Sequence, residues 1–142
     1  MAQGMNAPLY TTEILRLAAS LAEPRQLERE DGRAELRSPT CGSRVATVVQ
    51  LDRDGRVEAL SQQVHACAFG QASAALLERG APGRSREEVQ AALTGLADWL
   101  DGIETEPGWG LTALAPARTR ASRHGAIMLP FRTLAAAIEA AA

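Results

Sequence analysis

Two thiols and two imidazoles are the side chains of this 142-residue chain that could hold a soft metal or carry sulfur: Cys41, Cys67, His65 and His124. Thiolate sulfur and imidazole nitrogen are the donors of tetrahedral zinc sites, and thiolates hold iron–sulfur clusters. In a reducing compartment, two cysteines point to metal, redox chemistry or core packing rather than to a structural disulfide. Cys41 lies in Pro39-Thr40-Cys41-Gly42-Ser43, a turn signal directly ahead of a β-branched run. His65 and Cys67 are two positions apart where a strand pattern gives way to a helical one. In a regular strand that spacing puts both side chains on one face. His124 precedes Gly125 in the last helical region. All four sit at junctions between elements.

The elements that must position them follow from periodicity. Thr11 or Thr12 caps a first helix with Ile14, Leu15, Leu17, Ala18 and Leu21 on its apolar face, ended by Pro24. Leu27 to Leu36, with Asp31-Gly32 in the middle, reads as a short edge strand with a turn or bulge. Arg44 to Asp52 is β-branched and predicts a strand, Asp54-Gly55 a hairpin turn, and Arg56 to Ala66 the antiparallel return. Phe69 to Arg79 is rich in helix formers and Gly80 stops it, so Cys67 stands at the helix start, beside the positive end of the helix dipole. Ser85-Arg86-Glu87-Glu88 is a capping box that opens a helix to about Leu100 or Asp101. Val89, Leu93, Leu96 and Leu100 turn inward there, and Gly102 ends it. Glu104 to Pro116 is a Gly- and Pro-rich loop anchored by Trp109. The last helical region starts near Ala117, is interrupted around Gly125 and Pro130, and resumes from Phe131 to Ala142. Helix, strands, then helices predict an α+β fold: a small antiparallel three-stranded sheet with helices packed on one face.

Length and composition bound the rest. One domain over residues 1–142 is expected, with 1–9 as a flexible N-terminal segment. Apolar residues make up 46% and aromatics 4%, so the core must be built from Ala, Leu and Val. All 15 basic residues are arginine, scattered among acids, and the net charge is −2, so no nucleic-acid-binding stripe stands out. There is no nucleotide-binding fingerprint, no apolar run long enough to span a membrane and no secretory signal, so the expected address is the cytoplasm.

Three segments together resemble the NifU/IscU-type iron–sulfur cluster assembly scaffolds. The family's Pro-x-Cys-Gly-Asp corresponds to Pro39-Thr40-Cys41-Gly42-Ser43. Its second cysteine, followed by a helix rich in Ala and Ser, corresponds to Cys67 and Gln71-Ala72-Ser73-Ala74, and the 25 residues between Cys41 and Cys67 agree with the family. Its third, arginine-rich segment corresponds to Arg118 to Ile138, including Arg123-His124-Gly125-Ala126. The long stretch between the second and third segments is most similar to the SufU branch. The resemblance covers Tyr10 to about Ile138. Two positions depart from it: Ser43 stands where the family has aspartate, and Gly125 or Ala126 where it has a third cysteine.

The resemblance implies a scaffold, not itself an enzyme, for a transient iron–sulfur cluster, or a sulfur-accepting partner of a cysteine desulfurase that also meets cluster-receiving proteins. Cys41 and Cys67 would approach one another at one end of the sheet and bind iron, the cluster or zinc. His124 and His65 would complete the ligand set in place of the missing groups, giving Cys₂His₂. The alternatives are a divergent member that has lost cluster building and acts as an interaction or regulatory module, and a Cys₂His₂ zinc protein.

Overall fold

The computed structural model describes residues 10–39 and 42–141. The N-terminal segment 1–9 and Cys41 lie outside the described residues. The order is α1 (Thr12–Ala19), β1 (Gly32–Arg37), β2 (Arg44–Leu51), β3 (Val57–His65), α2 (Ala68–Gly80), α3 (Arg86–Leu100), a 3₁₀ helix (Leu111–Ala117) and α4 (Ala121–Ala140). The three strands form one antiparallel sheet in the order β1-β2-β3. This is the α+β arrangement expected from the order of patterns.

Thr11 caps α1, its hydroxyl accepting from Ile14 N at 3.1 Å. The helix ends earlier than Pro24 would require, because the Ser20 hydroxyl donates to Leu17 O at 2.7 Å and takes over a terminal carbonyl. Ile14 and Leu17 are buried, but Leu15, expected on the apolar face, is 50% exposed. Asp31 ties the start of β1 to β2, its carboxylate accepting from Leu51 N at 2.7 Å. The β2–β3 turn is held by the Asp52 carboxylate, which accepts from the backbone of Asp54 and Arg56, each at 2.9 Å, with Gly55 in the left-handed region. Alternation sends Ala34, Val45, Thr47, Val49, Leu60 and Gln62 toward the helices and Arg33, Glu35, Arg37, Gln63 and His65 to the other face.

α4 is the central helix. A Cβ on Gly32 would stand 2.0 Å from Ala137 O, so the helix crosses directly over β1. The expected interruption at Gly125 and Pro130 does not occur, and α4 is continuous through both. A proline inside a helix costs about 3 kcal/mol, mostly through the lost hydrogen bond and a ring clash. Here burial in the core offsets it. The residues from Ala126 to Phe131 are all buried. Ser73 on α2 donates to Ile127 O at 2.7 Å and Thr133 donates to Leu129 O at 2.8 Å. Trp109 is an anchor as expected, edge-on to Phe131 with centroids 5.2 Å apart.

Candidate metal and sulfur site

Arg44 at the start of β2 pairs with His65 at the end of β3, so the loop entering β2 and the turn leaving β3 share one end of the sheet. The β1–β2 connection is closed by Ser38 N donating to Ser43 O at 2.9 Å and Gly42 N donating to Ser38 O at 3.1 Å. Gly42 has φ 72°, a conformation that favours glycine over any residue with a Cβ. Ser43 is 4% exposed.

Cys67 is the N-cap residue of α2, with extended backbone and no side-chain cap bond. Its carbonyl accepts from Gln71 N at 2.9 Å, and the Gln71 amide donates to Ala66 O at 3.1 Å. The turn before the helix is thus pinned while the thiol stays half-buried and free. Gly70 lets α4 close in: a Cβ there would meet Ala66 Cβ at 2.6 Å and Ala126 O at 3.2 Å.

These contacts enclose a cavity of about 220 Å³. The β1–β2 loop supplies Gly42 and Ser43, the β3–α2 turn supplies His65, Ala66 and Cys67, and the first turns of α4 supply Ser122, Arg123 and Ala126. All three segments singled out in the sequence therefore meet at one cavity. The Arg123 guanidinium also lies 5.8 Å from the Tyr10 ring, and Tyr10 packs on Phe69 at 5.1 Å.

Three of the four expected site residues, Cys67, His65 and His124, have described positions. Cys67 and His65 both line the cavity, although β3 ends at His65 and Cys67 is the N-cap of α2, so strand alternation is not what brings them together. Gly42, the residue after Cys41 in sequence, lines it too, and Cys41 itself is outside the described residues. His124 is not brought in. Its Nε2 lies 2.9 Å from Ala117 O and 3.1 Å from Arg118 O. Both partners are carbonyls, so Nε2 carries the proton and donates, fastening the start of α4 to the end of the 3₁₀ helix. Arg118 is structural as well: its Nε donates to Trp99 O at 2.8 Å at the end of α3, and its guanidinium lies 4.9 Å from the Trp99 ring. Of the two candidates for the missing third cysteine, Ala126 lines the cavity and Gly125 does not. Ser122 was overlooked. Its spacing of four from Ala126 puts both on one helical face, a signal hidden by the expected break at Gly125.

Among the described residues no three His, Cys, Asp or Glu side chains come together as a metal-holding group. The described donors at the cavity are one thiol and one imidazole, which falls short of a closed four-coordinate site. The geometry instead offers a reachable sulfur nucleophile at a helix start, with an arginine and an imidazole on the cavity wall.

No protein-family model matches the chain, and no curated protein does. Solved structures do. A nitrogen-fixing NifU-like protein (N-terminal) from Brucella abortus superimposes with TM-score 0.83 at 29% identity, over 92% of each chain. A protein described as an iron–sulfur cluster assembly scaffold for the SUF system, from Fervidobacterium islandicum AW-1, superimposes with TM-score 0.81 at 18% identity, over 92% of this chain and 96% of that one. A hypothetical protein follows with TM-score 0.68 at 23% identity, over 89% of this chain and 97% of that one. In fold, and over nearly its whole length, the chain is similar to NifU-like and SUF-type scaffold proteins.

Proposed function

We propose that the protein serves iron–sulfur cluster assembly in the cytoplasm, as a scaffold or sulfur-accepting partner of a cysteine desulfurase, and is not itself an enzyme. The observation that carries this reading is the meeting of all three family-matching segments at the cavity beside Cys67. The names of two similar structures, a NifU-like protein and a SUF-system scaffold, point the same way. Cys67 is the sulfur acceptor. Its thiolate attacks the outer sulfur of the donor's cysteine persulfide, the donor S–S bond breaks, the donor leaves as a thiolate, and Cys67 becomes the persulfide. Cys41 is the second thiol of the site, His65 stands on the wall, and iron arrives as cargo.

A second reading has its own support. Ala126, Ser122 and Arg123 stand where a third thiolate would be needed, a wall without an anionic ligand. That suits a relative that carries sulfur or docks partners without building a cluster. Anaerobic purification with iron, zinc and sulfide analysis separates the two. A scaffold yields iron and acid-labile sulfide that disappear in Cys67→Ser. A sulfur carrier yields a persulfide on Cys67 after incubation with a cysteine desulfurase and cysteine, without iron. Neither result in wild type would end the assembly reading.

A further inference from the structure

At the sheet end that carries the cavity, Arg37 pairs with Arg44 and Arg44 with His65, so the three stand in one row across the strands. Directly paired residues project to the same face, here the face turned away from the helices. Like charges directly opposite destabilise a sheet. Some arginines of the chain have carboxylate partners: Arg29 with Asp31, Arg33 with Glu30, Arg56 with Glu88 and Arg86 with Glu139. Among the described residues, Arg37 and Arg44 have no such ion pair. Two arginines therefore face each other, with Glu35 on the same face but in no ion pair with either among the described residues.

The same face is hollowed. A groove of about 590 Å³ runs from Pro24 and Arg25 over Ala46 and Val48 to Gln63. A second hollow, holding Arg44 and His65, shares Glu35, Ala46 and Gln63 with the first, so the two are continuous. The floor is small and partly apolar; Arg25 and Arg33 line the first hollow, Arg44 the second, and Arg37 stands beside Arg44 across the strand pair.

We infer that this groove docks an extended acidic segment of a partner protein, whose carboxylates pair with Arg37 and Arg44 while its apolar side chains lie over Ala46 and Val48. Guanidinium groups recognise carboxylates through paired, charge-assisted hydrogen bonds. A nucleic acid fits less well: Glu35 lies on the same face and the chain carries a net charge of −2, so an unbroken phosphate backbone meets repulsion where spaced carboxylates do not. The surface is independent of the scaffold reading, because docking there needs neither cysteine nor metal.

The test uses the full chain, ¹⁵N-labelled, titrated with a peptide of alternating glutamate and valine and, separately, with single-stranded DNA of equal charge. Saturable peptide binding is expected, with amide shifts confined to β1, the start of β2 and the end of β3. The double variant Arg37→Ser/Arg44→Ser should bind about tenfold more weakly or worse, and Cys67→Ser should bind as wild type does. Arg37→Thr alone should melt no lower than wild type, since it relieves the like-charge pair. No saturable binding, undiminished binding by the double variant, or tighter binding of DNA would overturn the proposal. So would a lower melting temperature for Arg37→Thr, which would make the pair structural. If the double variant loses its helical circular dichroism, Arg44→Gln alone carries the binding test.

Discussion

The two ends of α2 are built to opposite specifications. At the C-terminal end everything is fixed. Gly80 lies against Trp109, where a Cβ would come within 2.7 Å of Cε3. Arg84 donates from Nε to Gly80 O at 3.0 Å and lays its guanidinium over the Trp109 ring at 4.8 Å. Trp109 holds φ 57°, unusual for so bulky a residue, between two glycines that are also left-handed. The N-terminal end begins at a cysteine that makes no cap bond and fronts a cavity. A serine or aspartate there would bond the helix and add stability. The difference teaches where the chain keeps rigidity and where it gives some up: the uncapped end is the one with a reactive group to present.

The largest effect should come from breaking the rigid end. Trp109→Ala removes the contacts with Phe131, Gly80 and Arg84 and should cost about 3 kcal/mol in urea unfolding, within the range for large aromatic truncations. A cost below about 1 kcal/mol would mean that the ring's contacts with Phe131, Gly80 and Arg84 do not hold this end together.

Much of this contrast was legible before the structure. The capping box at Ser85, the turn at Asp54-Gly55 and Trp109 as a loop anchor were read from local chemistry, which acts over a few residues. The three segments of the site were legible through their motifs. Continuity of α4 was not, because what offsets Pro130 is burial of the whole stretch from Ala126 to Phe131 against other elements, which no local pattern displays. That same error hid the shared face of Ser122 and Ala126. His124 misled for a related reason: its chemistry suits a metal, but the preceding carbonyls of Ala117 and Arg118 claim its Nε2. The outward Leu15 shows the limit of apolar spacing on a short helix.

A second test works on the open end. Ala126 and Gly125 were equal candidates for the missing third thiol, and only Ala126 lines the cavity. Ala126→Cys should therefore raise iron and sulfide retention after reconstitution, whereas Gly125→Cys should leave it unchanged. Ala126 is 1% exposed and its carbonyl crowds Gly70, so the added sulfur should also cost about 1 kcal/mol through overpacking. Equal retention by the two variants would mean that position 126 does not supply the third ligand.

A third test asks whether Cys67 is kept at a cost. Cys67→Ser places a good N-cap residue at the start of α2 and should raise stability by about 0.5–1 kcal/mol in urea unfolding while abolishing sulfur acceptance. Ser85→Ala, at the helix that already has its cap, should move stability by about 1 kcal/mol in the opposite direction. If Cys67→Ser is destabilising, the thiol is a packing group and the contrast between the ends loses its meaning.

The smallest effect lies in pH. At the capped end of α3, Glu88 accepts from Ser85 N at 3.0 Å and from Arg56 at 2.9 Å. The Ser85 backbone bond first, and the Arg56 bond next, hold its carboxyl below the ordinary carboxylate range. A folded-state value lower than the unfolded one stabilises the fold above the unfolded value, and that contribution drains away as pH falls through the folded value. Glu88→Gln keeps a side-chain acceptor for the cap but has no charge to lose. Wild type should therefore be the more stable of the two near neutral pH, and the gap measured by urea unfolding should close as pH falls below about 4. A gap between wild type and Glu88→Gln that stays constant down to low pH would show that the carboxylate contributes only its hydrogen-bonding shape to the capped end.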